Sequence, residues 1–268
     1  MTDVTLSAAI RGNLLSLQAT GTLVDRTNTR LSTGLKVSSA IDDAVAYFQN
    51  KSLKDRAGDL SARKDGIDQG ISSLTAAMSG LTSVESILTQ MKGIILSAKS
   101  ATDSDRASLG TQLNTLAQQL NYLANDTSYQ GLNLINSTAA NIKVQFSEKT
   151  TAVLQVDGAD VRLSVGNIIT AYNLSPGAMA SSSAISKIAG STFVGFSMVS
   201  AAVSVFDAFI DAFDSGIASV RTDAKTIGSS VALLQTRSDF TNQYINTLKV
   251  GGDKLVLADL NEEGADIG

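Results

Sequence analysis

The sequence predicts a mainly α-helical protein, a long antiparallel helical bundle with a small β-hairpin region, and three observations predict it. Leu60, Ile67, Leu74, Leu81, Leu88 and Ile95 stand seven apart, and from Leu74 onward Ala77, Val84, Met91 and Ala98 fill the alternate seam positions. A second run, Val199, Val203, Phe206, Ile210, Phe213, Ile217, Val220, Ala224, Ile227, Val231 and Leu234, steps by four and three in strict alternation. Between them Val144 and Phe146, then Val161, Leu163 and Val165, alternate on either side of Asp157-Gly158. A mean step of 3.5 keeps every side chain on one helical stripe, whereas a step of two puts them on one face of a strand.

Taken in order, the first segment carries Ile10, Leu17, Val24 and Leu31 seven apart, with Thr, Asn, Gln and Ser on its other faces. A stripe this thin is a poor helix alone and needs a partner, so residues 1 to about 35 are expected to be disordered in an isolated monomer. Gly34 reads as a helix end. Asp42 and Asp43 then stand near the positive end of the next helix. The heptad run by itself predicts helix over about Asp59 to Lys99, ~60 Å long at ~1.5 Å per residue. Leu109, Leu113, Leu116, Leu120 and Leu123 predict a third helix, entered at Thr102-Asp103-Ser104-Asp105, whose oxygen-bearing side chains suit a cap.

The alternating residues predict a short hairpin or small sheet on either side of Asp157-Gly158, itself read as a turn, and Ser175-Pro176-Gly177 with Ser181-Ser182-Ser183 predicts a loop. The second run continues through Ser238 and Thr241 to Ile245 and Leu248, a helix of about fifty residues. The bundle seam is therefore expected at Leu74, Leu81, Leu88, Ile95, Phe206, Ile210 and Phe213.

Composition removes most chemistry. The 268 residues hold no His, no Cys and no Trp, and one Pro. That takes away the commonest general base, the thiol nucleophile, the usual zinc ligands and any disulfide. Net charge is −4, from 21 basic and 25 acidic side chains, which gives no field for nucleic acid. No secretory leader is visible, since Arg11 and Asn13 interrupt the first apolar run. Ile188 to Phe206 is uncharged, but its serines and its continuing helical period read as packed helix and not as a membrane span.

The remaining candidates have bland readings. The adjacent acids Asp42 and Asp43, and Glu262 and Glu263, do not face one another on a helix and read as solvated or capping groups. Asp157, Gly158 and Asp160 lack the spaced acids and closing Glu of a calcium loop. Eight of the 21 basic residues fall between Arg26 and Lys64, interleaved with Asp42, Asp43, Asp55, Asp59 and Asp65, which suits ion pairs within or between chains. No catalytic site, cofactor site or metal site is expected, and the chain reads as no enzyme.

The run Arg30-Leu31-Ser32-Thr33-Gly34-Leu35-Lys36-Val37-Ser38-Ser39-Ala40-Ile41-Asp42-Asp43-Ala44 resembles the N-terminal signature of bacterial flagellins. Asp126 to Leu134, reading D-T-S-Y-Q-G-L-N-L, is similar to that family's turn after its third helix, which commonly reads F-N-G. Leu234-Gln235-Thr236-Arg237 with Asp239-Phe240 is similar to its C-terminal helix. Together these cover nearly the whole chain in the family's order, in wording nearest to alphaproteobacterial flagellins.

The resemblance implies a D0/D1-type bundle. Residues 1-35 would be the D0-like filament-core helix, 36-142 the N-terminal part of the D1-like bundle, and 143-195 a small β region with a short variable loop. Residues 196-250 would be the C-terminal bundle helix and 251-268 the start of a truncated C-terminal segment. The family continues after Ala265 as another amphipathic helix, so the resemblance implies a chain lacking that end, which polymerises poorly without it. It also implies a structural subunit of the extracellular flagellar filament, built for swimming. The chain would be exported by the type III apparatus with a flagellar export chaperone and partnered by itself and by hook-associated and cap proteins.

Subunit contacts would fall on Ile10, Leu17, Val24, Leu31, Arg30, Asp42 and Asp43. Flagellins that activate Toll-like receptor 5 resemble L-Q-R-V-R-E-L where this chain reads Leu88-Thr89-Gln90-Met91-Lys92-Gly93-Ile94. Gln90 lacks the guanidinium fork, which implies a non-activating receptor-contact position. The rivals are a hook-associated junction protein, which shares the terminal helices but joins or caps, and a helical surface adhesin, which needs a secretion signal and an anchor.

Overall fold

The computed structural model describes residues 8–147, 151–162 and 203–265, with the backbone alone for 203–205. The elements run α1 (Ala8–Thr33), α2 (Ala44–Lys99), α3 (Asp103–Asp126), β1 (Asn141–Gln145), β2 (Val153–Asp157), α4 (Val203–Val256) and α5 (Leu260–Ala265). Val199, Leu163 and Val165, the predicted loop at Ser175-Pro176-Gly177 and Ser181-Ser182-Ser183, and all but the last four residues of the run Ile188 to Phe206 lie outside the described residues. Among the described residues no helix is long and apolar enough to cross a membrane. The chain divides into two compact units, Met1–Ala62 with Phe240–Gly268, and Arg63–Asp239.

The unit Arg63–Asp239 is built on the heptad seam. Ile67, Leu74, Leu81, Leu88, Met91 and Ile95 of α2 are wholly buried with Phe206, Phe213, Val220 and Leu234 of α4 and Leu113 and Leu120 of α3. Ile210 differs from the expected seam. It is only partly buried, and Phe209 sits in the core instead. Positions three and four after Phe206 border the same stripe, and here the earlier one, Phe209, takes the inward place while the heptad positions on both sides stay buried.

Polar pairs flank the seam at the same period. Lys99 meets Asp207 at 2.5 Å, Lys92 meets Asp214 at 2.5 Å, and Glu85 meets Arg221 at 2.7 Å. Each step of seven along α2 is answered by a step of seven backward along α4, as antiparallel packing requires. The same register puts Ser238, a polar residue in the apolar run, against α2, where its hydroxyl donates to Asp68 Oδ1 at 2.8 Å. Lys64 Nζ holds the other carboxylate oxygen of Asp68 at 2.7 Å.

Helix α3 starts as its cap residues predict: Thr102 is the N-cap, and its Oγ1 accepts the Asp105 amide. Its far end is sealed by Asn133. The Asn133 Nδ2 donates to the carbonyls of Ala124 at 2.7 Å and Asn125 at 3.1 Å, and its Oδ1 accepts the amides of Ile135 and Asn136. One side chain thus closes a helix and starts the turn after it.

The hairpin differs from the expected one. β1 pairs antiparallel with β2, Ile142 opposite Val156 and Val144 opposite Leu154, and Asp157-Gly158 ends the second strand where a turn between strands was expected. The reason lies in the backbone around Gly158. Its amide donates to Ala140 O at 2.7 Å, and a Cβ there would lie 2.6 Å from Ser137 O, 2.9 Å from Leu134 O and 3.0 Å from Ala140 O. Gly158 is therefore a packing glycine, and Val161, expected on a strand, is a buried core residue whose amide bonds Ile135 O.

In the other unit α2 starts at Ala44, before the Asp59 of the heptad run and at the helix N-terminus expected beside Asp42 and Asp43. Asp43 Oδ1 accepts the Ala46 amide at 3.0 Å, which caps the helix. Leu53, seven before Leu60, carries the stripe backward and packs with Ala57, Leu60, Ile245 and Leu248 in a small second core.

Candidate assembly surface

Helix α1 buries one residue, Thr27. Leu14, Leu15, Leu23 and Val24 are exposed, Leu17 is 71% exposed, and Ile10 is half exposed. Thr20, Thr29 and Thr33 donate their hydroxyls to carbonyls four residues back, so the polar faces satisfy themselves along the helix. The side chains that project outward form an apolar stripe on a helix of 26 residues.

The helix ends where the sequence predicted. Gly34 adopts φ 72, a left-handed conformation that residues with a Cβ reach only with strain. Its amide returns to Arg30 O at 2.7 Å. From there the chain is stitched to the end of α4 and to the residues just past it. Leu35 bridges Leu257, the amides of Lys36 and Val37 bond Val256 O, and the Ala258 amide bonds Gly34 O at 3.0 Å. Arg30, expected at a subunit contact, has an intrachain partner, its Nη1 lying 2.7 Å from Glu263 Oε1. Glu263 was expected to be solvated or capping. It is buried, because α5 lies against α1 and the guanidinium neutralises it. Asp259 caps α5 through the Asn261 and Glu262 amides.

Asp42 closes the loop between α1 and α2. One oxygen, Oδ2, accepts from the amides and hydroxyls of both Ser38 and Ser39, at 2.9–3.1 Å. The Ser39 amide above all, then the Ser38 hydroxyl and amide, hold this carboxyl below its usual 3.8. A folded-state pKa below the unfolded one gives stability that is present above about 3.8 and lost as pH falls through the folded value. The expected result is an Asp42 carboxyl that titrates below 3.8 by NMR, with Ser38 and Ser39 amides exchanging faster once it protonates. Asp42→Ala should give the fast exchange at every pH.

Beyond this loop a second apolar patch faces outward. Ile41 is 95% exposed, and Val45 and Phe48 are exposed on the first turns of α2. On α4, Phe240 stacks on Tyr244, whose ring also carries the Arg56 guanidinium at 5.5 Å. The basic stretch finds partners outside its own run of acids: Lys54 meets Asp253 at 3.2 Å, besides the pairs of Arg30 and Lys64 already described. Leu31 is half-buried, and Gln90 is exposed, its Nε2 donating to Ser86 Oγ at 3.5 Å. The α1 stripe and its exposure were legible from spacing. Glu263, Asp259 and the Ile41 to Phe48 patch were missed, and only the apolar types at 41, 45 and 48 signalled the last. Among the described residues no group of three metal-ligating side chains gathers.

The profile of the bacterial flagellin N-terminal helical region matches residues 6–140, just over half of the chain. Among solved structures the chain is similar to a putative flagellar hook-associated protein from Vibrio parahaemolyticus, at 16% identity and a TM-score of 0.61, over 81% of this chain and 100% of that one. It is also similar to Bacillus cereus flagellin, at 16% identity and a TM-score of 0.48, over 66% of this chain and 88% of that one. No curated protein matches it.

Proposed function

Since the chain belongs to the bacterial flagellin family, we propose that it is the elongating subunit of an extracellular flagellar filament. Membership of the family makes it a structural protein of the bacterial flagellum that assembles with copies of itself and with other flagellar components. The finer reading is carried by one observation, the apolar stripe of α1, exposed over Leu14, Leu17 and Val24 on a helix that buries only Thr27. Apolar side chains in such a row gain from a partner surface, each by ~1.5–3 kcal/mol when fully covered. A polymer covers the row in every copy but those at its end.

In this reading the chain passes through the type III export apparatus, handed over by an export chaperone. It adds between hook-associated proteins at the base and a cap at the tip. Residues 1-35 serve the inner layer, and the helices α2, α3 and α4 serve the next shell.

The chain has no cysteine, so Leu17→Cys supplies a single thiol. In flagella sheared from cells that express this variant, the thiol should resist a maleimide, and it should react once the flagella are dissociated to monomers. Gold-labelled antibody against the chain should decorate the whole filament. Decoration confined to the hook junction or the tip would assign a joining or capping role instead and overturn the reading.

A further inference from the structure

The filament reading leaves open which surface of a neighbour receives α1, and two exposed patches in this chain match each other. On α1, Leu14 and Leu17 follow Ile10 at steps of four and three, with Arg11 immediately after the first. Across the turn before α2 and its first turns, Val45 and Phe48 follow Ile41 at the same sequence steps, with Asp42, in the turn, immediately after the first. Leu14, Leu17, Ile41, Val45 and Phe48 are all exposed. Arg11 is the one charged residue between Ala8 and Val24. Its counterpart in the other patch is a carboxylate held ionised by Ser38 and Ser39.

The two patches of one chain do not meet. Leu17 lies ~24 Å before the end of α1 along its axis, at ~1.5 Å per residue. The link from Gly34 to Asp43 is pinned to Val256 at Val37 and closed on itself by Asp42, so it does not reach back along α1.

Resting on the filament reading, we propose that the Leu14/Leu17 face of one copy docks on the Ile41/Val45/Phe48 patch of a second copy, with Arg11 beside Asp42. The occupant is a second copy because the charges are complementary and every copy carries both halves. The halves differ, and in the proposed contact each copy offers its two halves to two different neighbours, which makes it head to tail. Head-to-tail contacts that do not close into a ring propagate without limit, as a filament requires.

The test uses flagella from cells expressing the full chain with Leu14→Cys and Val45→Cys, treated with a bis-maleimide that spans the ~8–10 Å between packed helix axes. A ladder of dimers, trimers and longer multimers is expected, and neither single variant should give one. Filaments that form normally yet yield only single chains overturn the docking and leave the filament reading standing. Dimers alone show a two-fold contact and also overturn it. Gold labelling confined to hook or tip sinks both together. Should the double variant not assemble, the cysteine-free chain decides: Arg11→Asp should slow seeded growth about fivefold, the ratio expected for one exposed ion pair, and Arg11→Lys should restore it. Equal growth with Asp and Lys at that position overturns the proposal.

Discussion

Leu81→Asp is expected to unfold the Arg63–Asp239 unit at a markedly lower temperature than the parent chain. Leu81 is wholly buried in the middle of the seam, among α2, α3 and α4 side chains. A carboxylate there either ionises without a partner or takes up a proton, and both leave a polar group without the water it had when unfolded. The change belongs with the largest single-residue effects, about 4–5 kcal/mol. Circular dichroism through a thermal ramp reads it directly. Leu81→Met, similar in volume, should cost less than about 1.5 kcal/mol. An unchanged transition in Leu81→Asp would mean that the residue faces water.

The second large effect is expected from Gly158→Ala, one added methyl group. Three carbonyl oxygens, of Ser137, Leu134 and Ala140, stand 2.6–3.0 Å from where that methyl must go. They belong to backbone, so no side-chain rotation relieves the clash. Overpacking of this kind costs ~1–3 kcal/mol, and here it should fall on the bonds that surround Gly158: Gly158 N to Ala140 O, Ala159 N to Leu134 O and Val161 N to Ile135 O. Hydrogen exchange should show those amides opening while the α2 seam amides stay protected. Retained protection at Ala159 and Val161 would show that the loop yields.

The seam was legible because burial along a helix leaves a periodic trace, and Leu74, Leu81, Leu88 and Ile95 all carry it. The start of α2 was legible in Asp42 and Asp43 but not in the stripe, because Val45 and Phe48 are apolar but exposed and blur the period just where the helix begins. The small hairpin was legible, but its second strand falls before Asp157-Gly158 and not after it, for a related reason. Asp-Gly is a common turn pair, and nothing within it tells that Gly158 is selected by three carbonyls contributed by residues upstream. Ser238 was visible as a polar residue in an apolar row, yet its partner Asp68 emerges only from the pairing of two helices distant in sequence. The α1 stripe was readable residue by residue. That Glu263 would bury its carboxylate on Arg30 depended on the fold bringing the two ends of the chain together. Local chemistry shows in spacing, while partners across the fold appear only once the register is known.

A heptad seam is almost blind to its own translation. If α4 slid by seven residues against α2, leucine would still meet apolar side chains nearly everywhere, and hydrophobic burial alone would scarcely tell the two arrangements apart. The three flanking ion pairs break that degeneracy because one of them is written in reverse, with the acid on α2 at Glu85 and the base on α4 at Arg221. A slip in one direction brings Lys92 opposite Arg221, and a slip in the other brings Glu85 opposite Asp214. Had all three rungs carried lysine on α2, either slip would have kept attractive partners. The inverted rung acts as a check digit: each pair adds little to stability, being exposed and worth ~0–1 kcal/mol, but together they reject the frames in which the apolar text reads equally well.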